Sequence, residues 1–351
     1  MKKSLLALAV LGAYVGVASA QSSVTLFGIV DTNGRFVKAD GTKRGLSLAT
    51  DGINSSRLGF RGIEDLGGGL RAGFWLEAGI APDVGSTNVT TIVSGGTQNK
   101  FFNRRSTVSL ISGAGELRLG RDYTPTFWNQ TVFDAFGTNG LGSSLNVAQR
   151  YNGTRQDNSI GYFLPSNIGG FYGQAMVAAG EGGSSTDRPG RHISGRIGFA
   201  AGPFDVAVAY GTQRFNLGAA GNLAGDEQDT WNVGGSFNFG FLKLMGYVQN
   251  DDLERGVDER RYNIGAVVPL GQSEFRVGYH RSKLDTGAGD STVDQIAATY
   301  QYNLSKRTAM YGTISRLDNK NATRLTLPGA SAPTTASGDS KGFELGVRHI
   351  F

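Results

Sequence analysis

Beyond residue 20 the chain is patterned in short alternating runs. Phe204, Val206, Val208 and Tyr210 share one parity, and Asp205, Ala207 and Ala209 the other. Trp231, Val233, Gly235, Phe237 and Phe239 alternate with Asn232, Gly234, Ser236 and Asn238. Leu242, Leu244, Gly246 and Val248 alternate with Lys243, Met245, Tyr247 and Gln249, and Ile296, Ala298, Tyr300 and Tyr302 with Gln295, Ala297, Thr299 and Gln301. A period of two is the strand period, because successive side chains of a strand point to opposite faces. A soluble sandwich would also produce such runs.

The spacing of the breaks separates the two possibilities. Tight connections centre on 65–69, 112–115, 165–169, 201–203, 238–240, 270–272 and 303–305. Long ones run at about 38–55, 81–100, 123–156, 181–190, 215–228, 251–259, 283–292 and 318–341. Seven short turns and eight long loops join sixteen antiparallel strands. Short turns on one side and long loops on the other are the rhythm of a transmembrane β-barrel with an even strand count, both ends lying on the side of the short turns. One face of each strand then meets lipid, where only apolar groups are cheap, and the other meets water. Trp231, Tyr262, Tyr279, Tyr302 and Phe351 suit the aromatic girdles at the two interfaces. Sixteen strands enclose a lumen too wide for side chains alone to fill.

Composition agrees. No apolar run after the leader is long enough for a membrane helix. There are 54 glycines, 8 prolines and no cysteine. Abundant glycine with little proline suits strands and close backbone approach, and a closed ladder needs no disulfides. Lys2 and Lys3, the apolar stretch Leu5–Val17 and Ala18-Ser19-Ala20 read as a secretory leader, predicting a cut after Ala20 and a barrel domain over 21–351. Losing the two lysines takes the formal net charge from +5 to +3, too small to mark nucleic acid as the partner.

These features lead to a family resemblance. Ser22–Asp31 (SSVTLFGIVD), Ser56-Arg57-Leu58-Gly59, Glu64–Leu70 (EDLGGGL), Ala72–Glu77 (AGFWLE), Arg104–Leu110 (RRSTVSL), Leu119–Asp122 (LGRD), Asn303–Ala309 (NLSKRTA) and Gly346–Phe351 (GVRHIF) resemble the Gram-negative general-diffusion porins of the β-proteobacterial and neisserial type, nearest to the anion-selective members of comamonad bacteria. The likeness spans the whole chain after the leader. It implies an outer-membrane homotrimer of sixteen-stranded barrels, with the third external loop folded inward to narrow each pore. It also implies passive diffusion of small hydrophilic solutes, no cofactor and no metal.

The third loop is the longest, and its Phe127, Trp128, Phe133 and Phe136 need an apolar surface to rest on. The resemblance carries a positive constriction onto Arg57, Arg104 and Arg155, and acidic residues of the same constriction onto Glu77 and Asp134. The family pattern has a lysine just before the position of Arg104, where this chain has Asn103; Arg61 and Arg150 are the candidates to compensate. Arginine stays charged at any working pH and presents several donors to an oxyanion. Two unit charges about 4 Å apart interact by roughly 4 kcal/mol at an effective dielectric near 20. Acids facing the arginines would add a transverse field. Arginines solvated and paired in the lumen are the plain alternative. Parity implies that if Arg104 faces the lumen, Ser106, Val108 and Leu110 do too.

The outward alternation of Phe343, Leu345 and Val347 with Phe351 resembles the signal read by the barrel-assembly machinery. Outer-membrane lipid, lipopolysaccharide and small anions complete the expected partners. Competing functions are a substrate-specific channel for phosphate, sulfate or organic acids, a non-conducting adhesin, and a barrel hydrolase. The last is the weakest, since His192, His280 and His349 sit in no nucleophile or metal motif and read as interfacial or surface residues.

Overall fold

The computed structural model describes residues 23–87, 90–92, 96–98, 100–150, 152–180, 190–214, 227–254, 256–287 and 289–351. The predicted leader and parts of the second, fourth and fifth external loops lie outside the described residues.

Sixteen antiparallel strands close into one barrel. They are β1 (Ser23–Ala39), β2 (Arg57–Gly67), β3 (Leu70–Ala81), β4 (Arg105–Ser112), β5 (Gly115–Tyr123), β6 (Arg155–Phe163), β7 (Phe171–Ala178) and β8 (His192–Ala201). They continue as β9 (Phe204–Arg214), β10 (Glu227–Asn238), β11 (Lys243–Leu253), β12 (Val257–Leu270), β13 (Ser273–Asp285), β14 (Asp290–Asn303), β15 (Thr308–Lys320) and β16 (Ser340–Ile350). Each pairs with its sequence neighbours. β1 closes the ring, pairing with β16 from Ile29↔Ile350 to Ala39↔Ser340 and with β2 from Ser23↔Ile63 to Ile29↔Arg57.

Two connections are shorter than their sequence suggests. β11 and β12 are separated only by 254–256, and β13 and β14 only by 286–289. Polar runs such as Asp251-Asp252 and Asp258-Glu259 read as loop, yet they belong to strands that continue in register, with Asp252 opposite Asp258 and Asp251 opposite Glu259. The first external loop holds a short strand, Gly45–Thr50, paired with the outer part of β1 from Thr32↔Thr50 to Val37↔Gly45. This piece extends the line of β2, and residues 51–56 interrupt it. The interruption is tied to Asp31, whose carboxylate accepts the backbone N–H of Gly52 (3.2 Å), Ile53 (2.9 Å) and Asn54 (2.8 Å) and the hydroxyl of Tyr311.

The alternation has its predicted meaning. Phe204, Val206, Val208 and Tyr210 are exposed on the outside, while Ala207 and Ala209 are buried inside. Trp231, Tyr262, Tyr279, Tyr302 and Phe351 all project outward. An aromatic band at the short-turn end includes Phe171 against Phe199 (5.0 Å between centroids) and Phe204 against Phe237 (4.6 Å).

The described residues of the third external loop, 124–150 and 152–154, lie inside the barrel. The loop opens with a helix, α1 (Pro125–Val132). The Thr124 side chain caps the helix by accepting the N–H of Phe127, and Pro125 supplies the fixed φ of a first turn. The loop's apolar groups settle in notches made by small residues on the inner wall. Phe133 is fully buried against Gly234, Ala207 and Tyr247. Phe136 packs with Ala135, Met245 and Ala297, and lies 2.7 Å from where a Cβ on Gly278 would stand. Leu141 joins Val37, Val293 and Leu317, and Leu327 of the eighth loop closes over the same cluster. Burying each such side chain contributes about 1.5–3 kcal/mol. Polar side chains fix the register of the loop: Asn129 donates to Asn232 (2.7 Å), Asn263 to the Phe133 carbonyl (2.9 Å), Tyr247 to Ser144 (2.9 Å) and Gln295 to the Leu141 carbonyl (2.6 Å).

Candidate functional site

Because the third loop rests on the β8–β16 side, the space left in the lumen lies between the loop and the β2–β6 wall. It is a cavity of about 830 Å³. Among the described residues, six arginines line it: Arg57, Arg104, Arg105, Arg118, Arg155 and Arg276. Two carboxylates do so, Glu77 and Asp122. The loop edge opposite is uncharged, with Phe127, Trp128, Thr131 and Leu145 among its residues.

Strand starts bring the predicted arginines together. Arg57 begins β2, Arg155 begins β6, and Arg104 sits one residue before β4. Glu77, pointing inward from β3, is the hub. Its carboxylate accepts from Arg104 Nε (2.6 Å), Trp75 Nε1 (3.0 Å) and, more loosely, Arg57 Nη1 (3.5 Å). Arg57 also donates through Nε to the Ser55 carbonyl in the interrupted stretch (2.9 Å), so the kink at 51–56 helps orient it. Tyr123 bridges the other two. Its hydroxyl accepts from Arg104 Nη2 (2.7 Å) and Arg155 Nη2 (2.5 Å), and the Arg155 guanidinium lies 4.2 Å from the ring centroid. Tyr123 is itself stacked on Phe127 of the loop at 5.2 Å. A phenol with cations on its oxygen and over its face offsets part of their mutual repulsion.

Three arginines escaped the sequence reading. Arg118 and Arg276 are on the polar parity of their strands, Glu116-Arg118-Asp122 and Glu274-Arg276-His280, so alternation could have found them. Arg118 is held by Glu116 (2.9 Å) and Asp122 (2.5 Å), and Arg276 by Glu274 (2.5 Å). Arg105 is different, because parity placed it outside. Both Arg104 and Arg105 meet Glu77: Arg105 is its ladder partner, and the Arg104 N–H donates to the Glu77 carbonyl (3.1 Å). Arg104 precedes the regular strand, so alternation does not run through it. The expectation that Ser106, Val108 and Leu110 share its face therefore fails. Val108 and Leu110 are exposed on the outside, while Thr107 and Ser109 face in.

Other expected residues stand elsewhere. Asp134 does not line the cavity. Its carboxylate accepts the backbone N–H of Phe136 (2.9 Å), Thr138 (3.1 Å) and Ser144 (3.1 Å), which makes it the internal brace of the loop. Among the described residues, the carboxylates that line the cavity are Glu77 and Asp122, both on the arginine wall, and the loop-side lining opposite carries none. Arg61 lies away from the cavity, its guanidinium 5.3 Å from the Phe27 ring and 5.1 Å from Trp75. Arg150 is held at the return of the loop, where its N–H donates to Glu259 (3.0 Å). Asn103 is turned into the wall, its side-chain oxygen accepting the Gly79 N–H (2.7 Å). His192 and His280 are buried on the inner wall rather than at the surface. His280 sits beneath the loop, with Nε2 3.0 Å from the Gly142 carbonyl oxygen. His349 is exposed beside Thr308.

A closed barrel with an apolar exterior, a polar interior and an inward loop that narrows but does not fill the lumen is a diffusion channel through a membrane. A family model described as Gram-negative porin matches residues 7–322, and the chain belongs to that family. It is 42% identical to outer membrane porin protein 32 of Delftia acidovorans over the full length of both chains. Identity is 28% to an outer membrane porin protein of Bordetella pertussis, covering 89% of this chain and 93% of that one. Among solved structures, the anion-selective porin from Comamonas acidovorans superimposes with a TM-score of 0.80 at 37% identity, covering 94% of this chain and 100% of that one. OmpT of Vibrio cholerae, at 14% identity and a TM-score of 0.67 over 95% of this chain and 99% of that one, shares the fold. The protein is an outer-membrane porin, a passive water-filled channel for small hydrophilic solutes and not an enzyme.

Proposed function

We propose that this porin prefers anions, and that the preference arises at Arg57, Arg104, Arg105, Arg118 and Arg155 on the β2–β6 wall together with Arg276 on β13. The observation that carries this reading is the imbalance of the cavity lining, six arginines against two carboxylates with an uncharged loop opposite. A narrow, low-dielectric passage focuses such a field and enriches counter-ions. Small inorganic and organic anions are the solutes it favours. The arginines are braced by Glu77, Tyr123, Asp122 and Glu274, so an anion meets several already-partnered donors in turn and leaves again.

The same reading includes a homotrimer, a leader over 1–20 removed on export and a barrel domain over 21–351. Phe351 belongs to the β16 pattern offered to the barrel-assembly machinery, and lipopolysaccharide is a lipid partner. The resemblance in sequence and the outward aromatic and aliphatic face of β16 support these points.

Vesicle swelling with size-matched solutes tests the preference. Vesicles holding the purified protein should admit a small carboxylate faster than an amine of equal size and a neutral sugar at an intermediate rate. Faster entry of the amine would overturn it. Protein that neither swells vesicles nor gives conductance steps would favour a non-conducting adhesin.

A further inference from the structure

The described aromatic side chains of the third loop do not share one fate. Phe127, Phe133 and Phe136 are buried, whereas Trp128 is 38% exposed. On α1, Phe127, Asn129 and Gln130 are buried, while Trp128 and Thr131 border the cavity. Trp128 rests against Tyr123, with ring centroids 5.5 Å apart and planes tilted by 41°. Arginines lie over the rings of Trp75, Tyr123 and Phe163 in the same lining. Among the described residues none lies over Trp128, so its exposed face is open to the water of the cavity. The arginines differ among themselves as well. Arg57 and Arg104 pair with Glu77, Arg105 and Arg118 with Asp122, and Arg276 with Glu274. Among the described residues, Arg155 has no carboxylate within ion-pair distance. Its Nη2 donates to the Tyr123 hydroxyl at 2.5 Å, and its Nε has no hydrogen-bond partner. A neutral phenol leaves the charge of Arg155 without an anionic partner.

We propose that the opening carries a subsite for aromatic carboxylates, with the acid group on Arg155 and the ring on the open face of Trp128. The two side chains are placed by the same tyrosine. The Arg155 guanidinium lies 4.2 Å from the Tyr123 ring centroid and the Trp128 ring 5.5 Å from it, so they stand no more than about 10 Å apart. An ion pair closes within about 4 Å, and stacked or tilted rings sit about 4.5–7 Å apart, so a single ring bearing a carboxylate bridges the two. The carboxylate supplies the charge partner that Arg155 lacks, and the indole face supplies an aromatic contact that an aliphatic acid of the same size does not make. The inference rests on the anion preference proposed above and narrows it to a solute class.

Single-channel recording of the purified full-length porin in KCl at neutral pH tests the subsite, with benzoate, cyclohexanecarboxylate and neutral benzamide added in turn as blockers of the current. Cyclohexanecarboxylate matches benzoate in charge and size and is the more apolar of the two, so a merely greasy surface would favour it. The wild type should bind benzoate about fivefold more tightly than cyclohexanecarboxylate, the factor expected of one aromatic pair, and benzamide more weakly than either acid. In W128L the preference for benzoate should disappear, and W128F should keep part of it. Because the ratio of the two acids is taken within one protein, any change that a substitution makes to pore width or field cancels. R155Q should weaken both acids by a similar factor and leave benzamide unaffected. An equal or inverted ratio in the wild type, or a ratio that W128L leaves unchanged, overturns the ring subsite. Benzamide blocking as strongly as benzoate, or R155Q leaving the benzoate block unchanged, overturns the placement of the acid on Arg155. Either failure, with a zero-current potential still set by chloride, leaves the anion preference standing. A wild-type potential set by potassium overturns both.

Discussion

Replacing Arg57 by glutamine removes one charge from the wall of the opening while the rest of the cluster keeps its partners. Glu77 is then left with Arg104 at 2.6 Å, a closed pair, so the lost charge is not compensated. The side chain of Arg57 is 23% exposed, against 9% for Arg104, and its contact with Glu77 is the longer one at 3.5 Å. A cavity of about 830 Å³ has the volume of a sphere of roughly 6 Å radius, which sets the distance between the guanidinium and a passing ion. At about 6 Å a unit charge is worth roughly 0.7 kcal/mol in a dielectric near 80 and about four times more near 20. Chloride and potassium feel it with opposite signs. The permeability ratio should therefore fall by about tenfold at the watery limit. Screening shortens this reach from about 10 Å at 0.1 M salt to about 3 Å at 1 M, where the same change should shrink below about twofold. Zero-current potentials of R57Q in a KCl gradient, at low and high mean salt, read this directly. An unchanged ratio at low salt, or a change that does not shrink with salt, would refute the electrostatic reasoning.

Three further outcomes follow from the same geometry. E77Q removes the acceptor that holds Arg104, so denaturant unfolding should show a loss of about 3–5 kcal/mol, as for a broken buried pair, while the folded channel becomes more anion-selective; a more cation-selective E77Q would contradict the placement of Glu77 on the arginine wall. D134N weakens three backbone N–H contacts inside the third loop, at a cost of about 1–3 kcal/mol, and single-channel records should show a noisier open current with selectivity kept; an unchanged open current would count against its bracing role. G234V fills the notch that receives Phe133 and should push the loop toward the arginine wall, so single-channel conductance should fall, with overpacking costing about 1–3 kcal/mol; a conductance equal to the wild type would mean that the loop does not depend on that notch.

The barrel was legible because lipid imposes a strict rule on every second residue, and the runs at Phe204–Tyr210 and Trp231–Phe239 obey it. Loop lengths were less legible. Strands that continue above the lipid, such as those carrying Asp251-Asp252 and Asp258-Glu259, no longer face that rule and look like loop. In the site, Arg57, Arg104 and Arg155 came from the resemblance and do share one cavity wall. Arg118 and Arg276 were readable from parity and passed over. Arg105 was not readable, because two successive residues meet Glu77 where β4 begins. Asp134 was misplaced for a local reason: a carboxylate beside Gly137 and Ser144 can satisfy backbone donors as readily as line a pore, and sequence alone does not say which.

Everything proposed for the channel turns on the sign of the field in the opening. That sign is read by the zero-current potential of the unmodified protein in a planar bilayer, with a tenfold KCl gradient at low mean salt. The arginine wall predicts a potential set by chloride, declining in size as mean salt rises. A potential set by potassium, in a channel that conducts, would contradict it.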